Sequence, residues 1–159
     1  MEERITKLRK KFRSLGVANF LVTRLSNVRY LCGFTGSSGV LLVTNKDAHF
    51  ITDGRYTNQA SKQVKGAKVH TYKNGSSPAN AFVRAMKANK EIRFRGRIGV
   101  ESSFLTVEFY QHLHRIFPKS SIIETVDVNE ELAIIKDATE IDAVRKAVDI
   151  SDKVFESIL

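Results

Sequence analysis

The chain opens on Ile5, Leu8, Phe12 and Leu15, apolar positions at three- and four-residue steps with charged residues between them. That spacing predicts an amphipathic helix over Glu2–Leu15, and Gly16 suits the left-handed position after a helix end. The pattern then shortens. Asn19–Thr23 (NFLVT) is a compact apolar run rich in strand formers, and comparable runs recur at Gly39–Thr44, His49–Thr52, Val69–Tyr72, Ile98–Val100 and Ser121–Glu124. Asn45, Lys46 and Asp47 separate the second run from the third, a polar turn of hairpin length that predicts an antiparallel pair. Between the later strands lie helical patterns: Gly54–Val64 behind Asp53, Pro78–Asn89 with proline in the first turn, and Thr106–Phe117 with Val107, Tyr110, Leu113 and Phe117 on one side.

Strands alternating with helices predict an α/β layer fold, and runs such as GVLLV, apolar at every position, need cover on both faces of their sheet. The expectation is a three-layer α/β domain: a mixed sheet of about six strands, with helices on both sides. After Glu124 the character changes. Glu130–Lys136 leads into a helical pattern from Ala138 to the last residue, in which Ile141, Val144, Val148, Phe155 and Ile158 share a stripe with Ala147 and Ser151. This stripe needs a partner, and coming after a complete α/β unit the helix reads as a linker into a further domain. The chain therefore divides into a domain over 1–125 and a linker with its helix over 126–159.

At 159 residues and 42% hydrophobic, the chain is one domain's length and can bury a core. The single cysteine, Cys32, cannot form an internal disulfide, and the charged start MEERITKLRKKF is unlike a secretory signal, so a cytoplasmic location is expected. The longest apolar run, Val40–Val43, is strand-sized, which argues against membrane spanning. A net charge of +9 raises the question of nucleic acid. One basic cluster, Lys7, Arg9, Lys10, Lys11 and Arg13, forms the outer face of the first helix; the other is Arg93, Arg95 and Arg97. The basic residues are scattered along the chain and offer no aromatic platform for bases, so no nucleic-acid partner is expected.

The residue types that carry chemistry do not converge. His49, His70, His112 and His114 fit no metal-ligand spacing, and His112 and His114 lie about 200° apart around a helix. Cys32 sits among Tyr30, Leu31 and Phe34, a setting for a buried thiol rather than a nucleophile. Gly33–Gly39 (GFTGSSG) lacks the Lys-Ser/Thr ending of a phosphate loop and precedes a strand instead of a helix. Asp53 and Arg55 fit a helix cap with an ion pair better than a catalytic pair, since no nucleophile or metal stands beside them.

Three blocks carry a resemblance. Asn27–Gly39 (NVRYLCGFTGSSG) with Leu41–Thr44, then Thr52–Tyr56 (TDGRY), resemble the successive blocks of the creatinase/prolidase N-terminal domain. Glu131, Leu132, Ile134, Ile135, Lys136, Asp137, Glu140 and Ile141, with Ala147 and Asp152, resemble the junction leading such peptidases into their catalytic domain. Cys32 stands where threonine is common, and Ala133 stands for the usual arginine, which removes a contact at the junction.

The resemblance implies a ribonuclease H-like α/β fold and a non-catalytic role in a metal-dependent Xaa-Pro dipeptidase or aminopeptidase P. It places two divalent metal ions, manganese or cobalt, in a catalytic domain beyond residue 159, leaving no catalytic residue and no cofactor here. It further implies a homodimer acting on proline-containing peptides, in which this domain narrows access to the partner subunit's active site. Phe34, Thr35, Gly36, Ser37 and Ser38 are the expected access loop, with Phe34 as its apolar surface. Asn27, Tyr30, Asp53, Arg55 and Tyr56 are expected to be structural or to touch the other subunit. The alternative is a stand-alone pseudoenzyme or protein-binding module of the same fold.

Overall fold

The structure, a computed structural model, describes residues 1–158 apart from 73–76, 90–91, 93–95 and 119–120. Arg93 and Arg95 of the second basic cluster lie outside the described residues. In chain order the elements are α1 (Glu2–Leu15), β1 (Asn19–Val22), α2 (Leu25–Cys32), β2 (Val40–Thr44), β3 (Ala48–Asp53), α3 (Thr57–Gln63), β4 (Lys68–Tyr72), α4 (Pro78–Ala88), β5 (Ile98–Glu101), α5 (Val107–His114), β6 (Ile122–Thr125), α6 (Val128–Ile134) and α7 (Ala138–Glu156).

The six strands form one sheet in the order β4-β3-β2-β1-β5-β6. β2 pairs antiparallel with both β1 and β3, while β1–β5, β5–β6 and β3–β4 are parallel. Five strands therefore end on the same edge. The hairpin at 45–47 forms as its polar residues predict, closed by Thr44 N–H on the Asp47 carbonyl at 2.8 Å.

Strand alternation splits each apolar run between two cores. Phe20, Val22, Leu41, Val43 and Phe50 face one side with α1, α2, α3 and Val128 of α6. Leu21, Val40, Leu42, Ile51, Ile98 and Val100 face the other, under α4 and α5. This is the three-layer arrangement that the continuous hydrophobic runs required.

One local expectation needs correction, and one helix has no counterpart among the predicted elements. The pattern over 54–64 is not one helix, because Gly54–Tyr56 forms a 3₁₀ turn before α3 begins. The stretch Leu25–Cys32, where the sequence pattern predicts no helix, is α2. Its N-cap residue, Arg24, makes no side-chain cap. The two amides at its start, Thr23 and Arg24, instead bond to the Glu101 carboxylate at 2.7 and 2.9 Å. A carboxylate at a helix start suits the helix dipole, and this one comes from a strand 77 positions away.

α7 differs from every other long element. Its first turn is closed by a capping box between Asp137 and Glu140, but it buries no residue along its 19 positions. Val144, Val148, Phe155 and Ile158 on its stripe are all exposed.

Candidate functional site

The matched sequence blocks sort into two places: the edge where the parallel strands end, and the junction with α6 and α7. At the edge, Gly33 caps α2 in the left-handed region at φ 85°. The chain then turns over two aromatic rings. Phe34 is 1% exposed, its ring centroid 4.5 Å from that of Phe50 and 5.6 Å from that of Tyr56. A β-carbon on Gly36 would stand 2.3 Å from Phe34 Cζ, and one on Gly39 would stand 2.4 Å from Phe50 Cζ. Both glycines are therefore fixed by close approach of backbone to ring.

This corrects the expected apolar surface at Phe34. The ring is needed inside to fill the space under the turn, and Thr35 and Ser37 form the exposed part of the loop. Those two are tied to the second block and to α3. Ser37 Oγ lies 2.6 Å from Tyr56 Oη. The Thr35 N–H and hydroxyl donate to Gln63 Oε1 at 3.0 and 3.1 Å. Loop 33–39 and TDGRY are thus one surface.

Beside it, Asp53 accepts the Arg55 N–H at 3.0 Å, the expected cap, and holds the guanidinium at 2.9 Å through both carboxylate oxygens. The Arg55 side-chain bonds pull the Asp53 carboxyl down to about 2. The aspartate is buried while three-quarters of the arginine side chain is exposed, so the pair presents a fixed cation at the edge. Between this loop and the start of α5 lies a recess of about 210 Å³, with Leu25, Ser37, Val40, Phe104, Thr106 and Glu108 among its lining.

At the junction, the buried Glu101 carboxylate is a hub. Oε1 accepts from Asn27 Nδ2 at 2.7 Å and Asn129 Nδ2 at 2.8 Å, while Oε2 takes the two amides that start α2. Asn27 also donates to Glu130 Oε1 at 2.8 Å, which Arg24 reaches at 2.6 Å. Burial alone would raise the Glu130 pKa, but these bonds and the Arg24 charge lower it overall. Tyr30 Oη donates to the Leu132 carbonyl at 3.0 Å, near the end of α6. Arg4 stacks 4.4 Å from the Tyr30 ring centroid and bonds the Tyr30 carbonyl at 2.9 Å and Asp137 at 2.6 Å.

Asn27 and Tyr30 are therefore inside the chain's own junction, whereas Arg55 is exposed and Tyr56 partly so at the edge. Arg4, Arg24, Glu101, Asn129 and Glu130 were missed by sequence reasoning. Glu101 ends a short apolar strand, and nothing local distinguishes it.

Among the described residues, no activated nucleophile stands at either place. Burial pushes the Cys32 thiol up to about 11. His49 is buried with Nδ1 3.0 Å from His70 Nε2, and His114 lies edge-on to Tyr110, with ring centroids 4.3 Å apart. Among the described residues, no group of three or more His, Cys, Asp or Glu is placed to hold a metal ion, and no helix is long and apolar enough to cross a membrane.

Fold and junction together define a three-layer α/β domain followed by a helix, α7, that packs on none of it. The creatinase/prolidase N-terminal domain profile matches residues 4–135, and the chain belongs to that family. It is 33% identical over 156 residues to the uncharacterized peptidase YqhT of Bacillus subtilis, covering 98% of this chain and 42% of that protein. An Xaa-Pro dipeptidase from Bacillus anthracis superposes with a TM-score of 0.83 at 35% identity, covering 98% of this chain and 42% of that one. The N-terminal domain of the cytoplasmic peptidase PepQ from Mycobacterium tuberculosis H37Rv superposes with a TM-score of 0.67 at 31% identity, covering 82% of this chain and 98% of that one. The chain thus spans less than half the length of YqhT and of the Bacillus anthracis dipeptidase.

Proposed function

We propose that this domain is the non-catalytic N-terminal part of a metal-dependent, cytoplasmic Xaa-Pro peptidase, either a proline dipeptidase or an aminopeptidase P. In this reading it supports a homodimer and narrows the path of proline-containing peptides to the partner subunit's active site. One observation carries the access role: the two matched blocks, 35–38 and 53–56, join at the Ser37–Tyr56 bond into a single edge held rigid from beneath by Phe34 and Phe50. A rigid, exposed, small-residue edge with a fixed guanidinium is suited to bordering a cleft. The described residues offer no fit for two divalent metals, manganese or cobalt, so the reading assigns them to a catalytic domain in a longer protein.

Hydrolysis of an Xaa-Pro dipeptide and an Xaa-Pro-Xaa tripeptide, with added manganese, tests this on residues 1–159 and on the full gene product in parallel. Activity in the long form alone is expected and names the peptidase class. Activity in neither turns the reading to a pseudoenzyme or binding module, and activity in residues 1–159 overturns the assignment of the active site. The access role has its own test: Ser37→Trp in the full-length protein should alter KM or length preference with metal content intact, and unchanged kinetics would remove it.

A further inference from the structure

We infer that the recess where β2 ends and β3 and β4 begin is a binding site for a small organic carboxylate, gripped by the Arg9 guanidinium. It lies at the edge of the sheet opposite loop 33–39 and holds about 390 Å³. Small-molecule sites usually span about 300–1,000 Å³. One face of α1 lines the recess through Glu2, Thr6 and Arg9, the 45–47 hairpin through Lys46 and Asp47, and the start of β4 through Lys68. Every lining residue comes from 2–68, inside the domain itself.

Arg9 Nε donates to the Thr44 carbonyl at 2.8 Å, which fixes the guanidinium against the end of β2. Among the described residues, its two terminal amino groups make neither a hydrogen bond nor an ion pair. The side chain is half-buried, and burial lowers its pKa although the nearby Asp47 charge acts to raise it. Taking a cation out of water in this way is costly unless an anion meets it. Asp47 is committed elsewhere, its Oδ1 lying 3.5 Å from Lys68 Nζ.

The two terminal amino groups form a planar fork whose spacing matches the two oxygens of a carboxylate. Arg9, Lys46 and Lys68 exceed Glu2 and Asp47 by one positive charge, so a singly charged acid neutralises the recess. A phosphate dianion would instead meet two carboxylates of its own sign. Ile5 and Ala67 supply apolar wall for the carbon skeleton of an organic acid. Because the Thr44 bond orders the guanidinium beforehand, little of that ordering is left for the ligand to impose.

The inference stands apart from the proposed peptidase role, and its test reads Arg9 directly. The full gene product is treated with phenylglyoxal, which condenses with guanidinium groups, and the modification rate at each arginine is followed by peptide mass mapping. N-acetyl-leucine at about 10 mM should slow modification of Arg9 about fivefold, as a millimolar Kd requires. Arg13, exposed one turn further along α1, should be unaffected. N-acetyl-leucinamide, which lacks the charge, should slow neither. Butyrate separates the sources of the carboxylate: protection equal to that by N-acetyl-leucine assigns the site to small free acids, and weaker protection assigns it to the carboxyl end of a peptide. Thr6→Trp, at an exposed position of α1, places an indole in the recess and should abolish the protection. Protection that survives Thr6→Trp, equal slowing by the amide, or no slowing by either acid would overturn the inference.

Discussion

Asn27 donates its side-chain amide to Glu101 Oε1 at 2.7 Å, a buried bond joining α2 to the end of β5 across 74 positions of sequence. The same amide reaches Glu130 on α6, so one side chain separates and satisfies two carboxylates. Asn27→Ala should destabilise the domain by about 2–3 kcal/mol, since a hydrogen bond to a charged group is lost and the buried Glu101 loses a partner. Asn27→Asp should cost more, because a third carboxylate then faces the other two. Urea unfolding followed by circular dichroism gives both values, and Asn27→Ala within about 0.5 kcal/mol of the parent would count against the hub.

The loop glycines should resist even the smallest side chain. Gly36→Ala and Gly39→Ala each push a methyl group into a buried ring, and overpacking of this kind costs about 1–3 kcal/mol. Phe34→Ala removes the ring on which the turn rests, at about 3–5 kcal/mol. Thermal unfolding of the three variants checks this, and a parent-like Tm for Phe34→Ala would mean that the ring is not part of the core.

Asp53 supplies a pH dependence with a definite sign. Its folded pKa of about 2 lies below the usual carboxylate value of about 3.9, so the ionised form is favoured in the folded state. The stability contributed by the Asp53–Arg55 pair is complete above about pH 4 and fades as pH falls towards 2. Stability measured against pH should show a smaller fall over that interval in Asp53→Asn than in the parent. An identical fall in the two would remove the pair as its cause.

Cys32 should be silent in the native state. With the thiol raised to about 11 and no exposed surface, an aromatic disulfide reagent at pH 8 should label it only after urea unfolding. Prompt labelling of the folded chain would contradict the packing of α2.

The sequence by itself determined the layer fold. Apolar periodicity marked all six strands, and local signals marked the glycine after α1, Pro78 at the start of α4 and Asp53 at its turn, because these signals act between residues within one or two helical turns or strand pairs. The matched blocks marked which residues are special, though not why. That was decided by tertiary contact: α2 is started by Glu101 from β5, Phe34 turns inward because Phe50 and Tyr56 offer it a face, and Asn27 and Tyr30 meet α6 across more than 100 positions. Arg4 meets Asp137 across 133. Partners so far apart in the chain leave no local periodicity, since the geometry that pairs them exists only once the sheet has brought its strand ends to a common edge.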